Sequence, residues 1–245
     1  MGVTRYFDAF PITDYQFGDE KFNIPIQNLA IYADVIDQVR RTSATYQNYD
    51  ILPGERPDQV SYKLYGTTDY HWTFFLMNDK LRERGWPLSP LKAEELAKKE
   101  YKERIISTQS SLISNCELGT SVIGTLSGTT GTVVHRDINL GQLWLDNSST
   151  ALWTAGETIN STNKTPVESI IALSSELRYQ TVHHYVDGNG EWSDITPTDP
   201  RPGALTEVSW QERLNTQNDE LKSIIALKSE VIGEVVKSFR EAIRS

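Results

Sequence analysis

A chain of 245 residues, 38% hydrophobic, 10% aromatic and 23% charged, is long enough for one large domain or two small ones and has the apolar content for packed cores. Its formal net charge of -9 offers no electrostatic footprint for phosphate backbones, which argues against a nucleic-acid partner. The single cysteine, Cys116, excludes an intramolecular disulfide framework and a cysteine-based zinc site, and fits a reducing compartment. No stretch approaches the length of a transmembrane helix, and the first residues lack the apolar run of a secretory signal, so no membrane partner is expected.

In chain order, residues 1–48 read as an aromatic arm and a helix. The arm, "YFDAFPITDYQFG", holds Tyr6, Phe7, Phe10, Tyr15 and Phe17 without helical or alternating periodicity. It is too apolar for a solvated tail, and two readings stand evenly: it packs on its own domain, or it docks on a neighbouring subunit. Leu29, Tyr32, Val35, Ile36 and Val39 then predict a helix over Asn28–Arg40. An extended segment, "TYQNYDIL", closes at Pro53-Gly54. Asp58 is the expected N-cap of a helix over Gln59–Tyr65, with Val60, Leu64 and Tyr65 inward and Gly66 as a left-handed cap. Asp69 is expected to cap a second helix that puts Trp72, Phe75 and Leu76 on one face and ends at Asn78. "RERGWPLSP" reads as a loop with a short strand. In "SPLKAEELAKKEYKERI", Ser89 caps, Pro90 takes the first turn, and Leu91, Leu96 and Tyr101 form the apolar face.

Composition shifts near Leu118 to Gly, Ser and Thr with short β-branched runs. Strands are expected at Val122–Leu126, Gly131–His135, Leu143–Leu145 and Glu157–Ile159, with turns at Ser127-Gly128 and Asp146-Asn147. They make a small barrel or sandwich that reads as an insertion. A hairpin follows, Tyr179–Val186 and Glu191–Ile195 around Asp187-Gly188-Asn189-Gly190, and then a proline-rich connector. Thr206 is expected to cap a helix through Val208, Trp210 and Leu214. "KSIIAL" is extended, and Ser229 caps a last helix through Ile232, Val235, Val236, Phe239 and Ile243. The fold class is therefore α+β, in five segments: 1–48, 49–117, 118–165 (the inserted β module), 166–204 and 205–245.

The chemistry-bearing residues form no catalytic pattern. His183 and His184 are adjacent in a predicted strand, where neighbours point to opposite faces, so they are not expected to grip one metal ion. "DGNG" lacks the downstream glutamate of a calcium loop and is explained by a turn. Glu94-Glu95 and Asp219-Glu220 sit among basic residues as solvated faces. No phosphate loop, zincin motif or nucleophile elbow occurs, and no carboxylate pair stands out. No catalytic, cofactor-binding or metal-ligating residue is assigned, and an enzyme is not expected.

The order strand, glycine turn, helix ending in Tyr-Gly, Trp-bearing helix and Asn in "YDILPGERPDQVSYKLYGTTDYHWTFFLMN" resembles a LysM module. That resemblance makes Gly54, Leu64, Tyr65, Gly66, Trp72, Phe75 and Asn78 fold-critical. "PGERPD" stands where glycan binders commonly have "GDT", which weakens a cell-wall reading. At larger scale the chain resembles the baseplate wedge protein 53 family of contractile-tailed bacteriophages. The resemblance rests on the block from Arg56 to Ser89, the hairpin "HHYVDGNGEW" and "LNTQNDELKSIIALKSEVIGEVVKSF". It implies a structural virion protein, assembled in the host cytoplasm, whose partners are other wedge and hub proteins and neighbouring copies of itself. Tyr6, Phe7, Phe10, Ile232, Val235 and Phe239 are the expected interface residues. The alternative is a LysM-type peptidoglycan-binding module.

Overall fold

The computed structural model describes residues 11–19, 21–27, 45–112, 114–146, 152–195 and 204–244. The expected helix over 28–40, the arm residues Tyr6, Phe7 and Phe10, and residues 196–203 of the connector lie outside them. The described residues mix six α-helices with four antiparallel sheets, an α+β fold. The chain divides into two compact units, unit 1 from residues 1–89 and 218–245, and unit 2 from residues 90–217.

Unit 1 begins with a hairpin, β1 (Ile12–Tyr15) and β2 (Ile24–Gln27), in register from Ile12 opposite Gln27 to Tyr15 opposite Ile24. Strand β3 (Tyr46–Asp50) leads into α1 (Pro57–Tyr65), α2 (Trp72–Met77) and α3 (Asp79–Arg84). Helix α1 starts one residue before the expected cap. Pro57 takes the first helical position, where its missing N–H costs nothing, and the Arg56 N–H donates to Gln59 Oε1 at 3.0 Å. Asp58 instead pairs with Arg56 at 2.6 Å. Gly66, at φ 72°, ends the helix with its N–H on the Tyr62 carbonyl. Helix α2 begins only at Trp72, with His71 rather than Asp69 at the cap position.

The partner of β3 lies far along the chain. No strand forms in 85–89. Residues Ser223–Leu227 pair with β3 instead, from Leu227 opposite Tyr46 to Ser223 opposite Asp50. The apolar run "SIIAL" suits this role, because Ile224, Ala226 and Leu227 are buried beneath the helices. Phe74, Val60, Leu81, Ile51, Leu221 and Ile224 form the main core. The chain leaves and re-enters unit 1 at a clip: the Leu88 N–H donates to Asn218 Oδ1 at 2.7 Å, and Asn218 Nδ2 donates to the Leu88 carbonyl at 3.0 Å.

Unit 2 starts with α4 (Pro90–Glu100). Its proline is in the first turn as predicted, but its packed residues are Ala93 and Ala97, while Leu91 is 74% exposed. Seven strands follow: β4 (Arg104–Ser107), β5 (Ser121–Gly124), β6 (Thr130–Asp137), β7 (Gln142–Leu145), β8 (Thr158–Ser161), β9 (Ser169–Ile171) and β10 (Ser174–Leu177). They form one sheet in the order β10-β4-β7-β6-β5-β8-β9. The sheet thus reaches beyond the expected 118–165 module at both ends. Ile106, Val122, Leu143, Leu145, Ile159 and Ile170 fill its core.

One buried carboxylate organises a corner of that sheet. Glu157 is 1% exposed and accepts from the backbone N–H groups of Leu126, Ser127 and Thr154 and from the Ser127 hydroxyl. Gly124 makes room for it, since a Cβ there would lie 2.5 Å from Glu157 Oε2. A second sheet of three strands has β11 (Val182–Val186) between β12 (Trp192–Ser193) and β13 (Thr206–Ser209). Thr206 is therefore a strand residue and not a helix cap. Ser209 caps α5 (Trp210–Asp219): its Oγ accepts from the Glu212 N–H and Glu212 Oε2 accepts from the Ser209 N–H. After the Ser223–Leu227 strand, β14, the chain ends in α6 (Ile232–Arg244).

Candidate functional site

The residues singled out in the strand–helix module meet in unit 1. Asn78 ends α2 and acts as a substitute strand residue. Its Nδ2 donates to the carbonyls of Phe74 and Ile225 at 2.8 Å each, and its Oδ1 accepts from the Ile225 N–H at 2.9 Å. Both polar groups of Ile225 are met by one side-chain amide, which has a donor and an acceptor on one plane. The Tyr65 hydroxyl donates to the Leu227 carbonyl at 2.9 Å, and burial holds this phenol well above its ordinary pKa. Tyr65 stacks on Phe74 at 6.0 Å. Leu64 and Phe75 are partly buried against the same core, and Phe75 meets Trp86 at 5.9 Å. Gly54 adopts φ 84° in the turn after β3. Phe74, 0% exposed, is the core aromatic that the predicted face of α2 leaves out.

Three expected interface residues have partners inside unit 1. Ile232 and Phe239 are each 4% exposed, and Phe239 packs on Trp72 with ring centroids 5.4 Å apart. Val235 is partly buried in the same cluster, with Met77, Leu227 and Val236. From Ile232 to Phe239, the apolar face of α6 packs on its own unit. Exposed apolar surface is found instead on the first hairpin. Every residue of β1 is exposed, and Ile12, Tyr15, Phe17, Phe22 and Ile24 are the large apolar side chains left in solvent. The periodicity of α6 is visible in the sequence; what it packs on is not.

Unit 1 also carries a shallow groove of about 550 Å³ between the Pro53-Gly54 turn and α1, with Tyr62 on its wall. Glu55 organises this turn, accepting from the Tyr49 hydroxyl, the Leu52 N–H and Lys63. Burial alone would raise its carboxyl pKa, but these donors outweigh it and hold the group below the ordinary value.

In unit 2 the histidine pair departs from expectation. The pairing of β11 with β13 slips between Val182 and His184, a bulge that breaks the alternation of faces. His183 and His184 are brought together, Nδ1 to Nδ1 at 2.9 Å. Among the described residues no group of three or more His, Cys, Asp or Glu is placed to hold a metal ion. Asp187 accepts from the N–H groups of Asn189 and Glu191, so "DGNG" is a turn. Glu94 pairs with Lys98, Asp219 with Lys222, and Glu220 with Lys80 and Arg84, all on exposed faces. Cys116 is buried, and desolvation pushes its thiol up to about 11, which makes it a poor nucleophile at neutral pH. No described helix is long and apolar enough to cross a membrane.

Residues 6–108 match the family model described as base plate wedge protein 53. The matched span runs through β1–β3, α1–α4 and β4, and stops before the rest of the seven-stranded sheet. The hairpin at His183 and the segment from Leu214 to Phe239 lie outside it. No curated protein matches the chain.

Proposed function

We propose that this chain is a structural subunit of a contractile phage tail baseplate wedge, and that its protein–protein contacts join wedges around the hub. The match of residues 6–108 to base plate wedge protein 53 supports a structural baseplate role and residence in the virion tail. The observation that carries the finer reading is the first hairpin, which lies within the matched span. A two-stranded ribbon is marginal by itself in water, and this one leaves β1 exposed along its length with five large apolar side chains in solvent. Aromatic anchors of this kind dominate protein interfaces. The occupant is a neighbouring wedge component or a second copy of this chain, met during assembly in the host cytoplasm. No catalytic step is assigned.

Cryo-EM of the particle that carries the chain tests this. The expected result is a ring at the end of the tail tube with the 12–27 hairpin buried against another chain. A position on a fibre tip, or a hairpin left in solvent, would overturn it. In a parallel test, Ile12→Ser with Phe22→Ser is expected to leave the unfolding of the purified chain unchanged and to stop its incorporation into particles.

A second reading rests on the groove beside the Pro53-Gly54 turn, where Tyr62 is 63% exposed. A LysM-like module that binds peptidoglycan would use this edge. Retention on purified peptidoglycan that Tyr62→Ala abolishes would favour it over the wedge reading.

A further inference from the structure

Unit 2 contains a cleft of about 350 Å³ to which neither the family match nor the wedge reading gives a role. Its volume is in the range of small-ligand sites. Trp192 from β12 stacks on His184 at 4.1 Å with 25° between planes, and is itself 63% exposed. Trp210, the first residue of α5, meets His183 at 4.3 Å. Trp144 and His135, from the seven-stranded sheet, face each other at 4.3 Å. Asp137 and Asp194 also line the cleft.

The protonation of the histidine pair follows from its neighbours. Arg213 Nη1 contacts His183 Nε2, and a guanidinium only donates, so His183 Nε2 is an acceptor. A neutral His183 then carries its proton on Nδ1 and donates it to His184 Nδ1. His184 in turn holds its proton on Nε2. Burial and the Arg213 charge push His183 down to about 4 and lower His184 as well, so both rings are neutral near pH 7. Three side chains thus form a relay that fixes the His184 ring against one face of Trp192.

Charge narrows the ligand class. No lysine or arginine is among the cleft's lining residues, and the His183–His184 pair is neutral, so neither supplies a charge for a phosphate or a carboxylate. A cation finds the faces of Trp144 and Trp210 already taken. The Arg178 guanidinium is 3.9 Å from Trp144 and 3.8 Å from Trp210, and that of Arg213 is 5.6 Å from Trp192. The cleft wall also holds polar atoms without a hydrogen-bond partner: Gln142 Oε1, on a side chain 3% exposed, and the indole N–H groups of Trp144 and Trp210.

We propose that this cleft binds a neutral saccharide, with a sugar ring stacked on the face of Trp192 that His184 leaves free and the Asp137 and Asp194 carboxylates accepting from its hydroxyls. This site lies in unit 2 and is distinct from the groove beside Tyr62 in unit 1.

The test is calorimetric titration of the full chain with neutral oligosaccharides of glucose, galactose, mannose and N-acetylglucosamine, and with a sialylated oligosaccharide as the charged control. At least one neutral series is expected to bind, with no binding of the sialylated one. Trp192→Ala, an exposed position, is expected to weaken binding about tenfold or more while leaving the unfolding midpoint unchanged. His184→Ala is expected to weaken it as well, and Tyr62→Ala to leave it intact. No binding of any neutral saccharide at millimolar concentration overturns the proposal. So does binding that survives Trp192→Ala, and binding that Tyr62→Ala abolishes places the sugar in unit 1 instead.

Discussion

Asn78 ties together two elements of unit 1 that lie far apart in sequence, through hydrogen bonds of its side-chain amide. Asn78→Ala would remove three hydrogen bonds and leave the Ile225 N–H and carbonyl unmet beneath the helices, at a cost of about 2–4 kcal/mol. Asn78→Asp keeps the acceptor for the Ile225 N–H but turns a carboxylate oxygen onto two carbonyls, so its loss should shrink on acidification. Urea unfolding across pH, with exchange at the Ile225 amide, checks both. In unit 2, Glu157 and His183 contribute to an acid limit. The folded-state pKa of Glu157 is lowered, since its donors outweigh burial, so its contribution is present above 4.5 and lost as pH falls through the folded value. His183 is depressed from 6.5 to about 4, so the unfolded state takes up the extra proton between those values and stability falls as pH drops across that window. Thermal unfolding between pH 7 and 3 should therefore show a continuous loss. His183→Gln should flatten the upper part and Glu157→Gln the lower. Gly124→Ala should cost about 1–3 kcal/mol at any pH by crowding the Glu157 carboxylate.

Elements whose cause is local are legible in the sequence, and elements whose cause is distant are not. The Ser89-Pro90 start of α4, the Gly66 stop of α1 and the four strand runs between Leu118 and Lys164 are written in neighbouring residues, and they form close to where periodicity puts them. "SIIAL" is legible as extended, but its pairing with β3 depends on a partner more than 170 residues away, which no local pattern encodes. The histidine pair escapes a sequence reading because strand alternation fails at a bulge, and a bulge is a property of two strands rather than one. Leu91 and α6 show the same limit. Periodicity identifies an apolar face but does not say whether small or large residues meet the core, or whether the face meets its own unit. For α6 the difference can be measured. Because Phe239 is packed on Trp72 inside unit 1, Phe239→Ala should cost about 3–5 kcal/mol in the isolated chain. A helix reserved for docking would leave the isolated chain's unfolding unchanged and lower only its assembly.

Across the whole molecule, unit 2 is inserted between two positions that unit 1 holds together. Leu88 and Asn218 are joined by two hydrogen bonds, and β3 and β14, on either side of the insertion, form one sheet. The ends of residues 90–217 are therefore anchored without help from the sequence between them. A flexible linker of about eight residues in their place should close at modest entropic cost, since that cost grows only slowly with loop length. Unit 1 should then fold with β14 still paired to β3, read by protection of the Ile225 amide and by the Asn78 side-chain resonances. Removing only residues 119–164 should do the opposite. That span carries β5, β6, β7 and β8, the consecutive middle of the order β10-β4-β7-β6-β5-β8-β9, and its loss would leave β9 separated from β10 and β4. The smaller deletion should thus unfold unit 2 while the larger one yields a stable unit 1. If the linker-bridged chain stays unfolded under conditions where the full chain is native, unit 1 draws its stability from unit 2 and the insertion reading fails. If both deletions fold, the seven strands do not share one core.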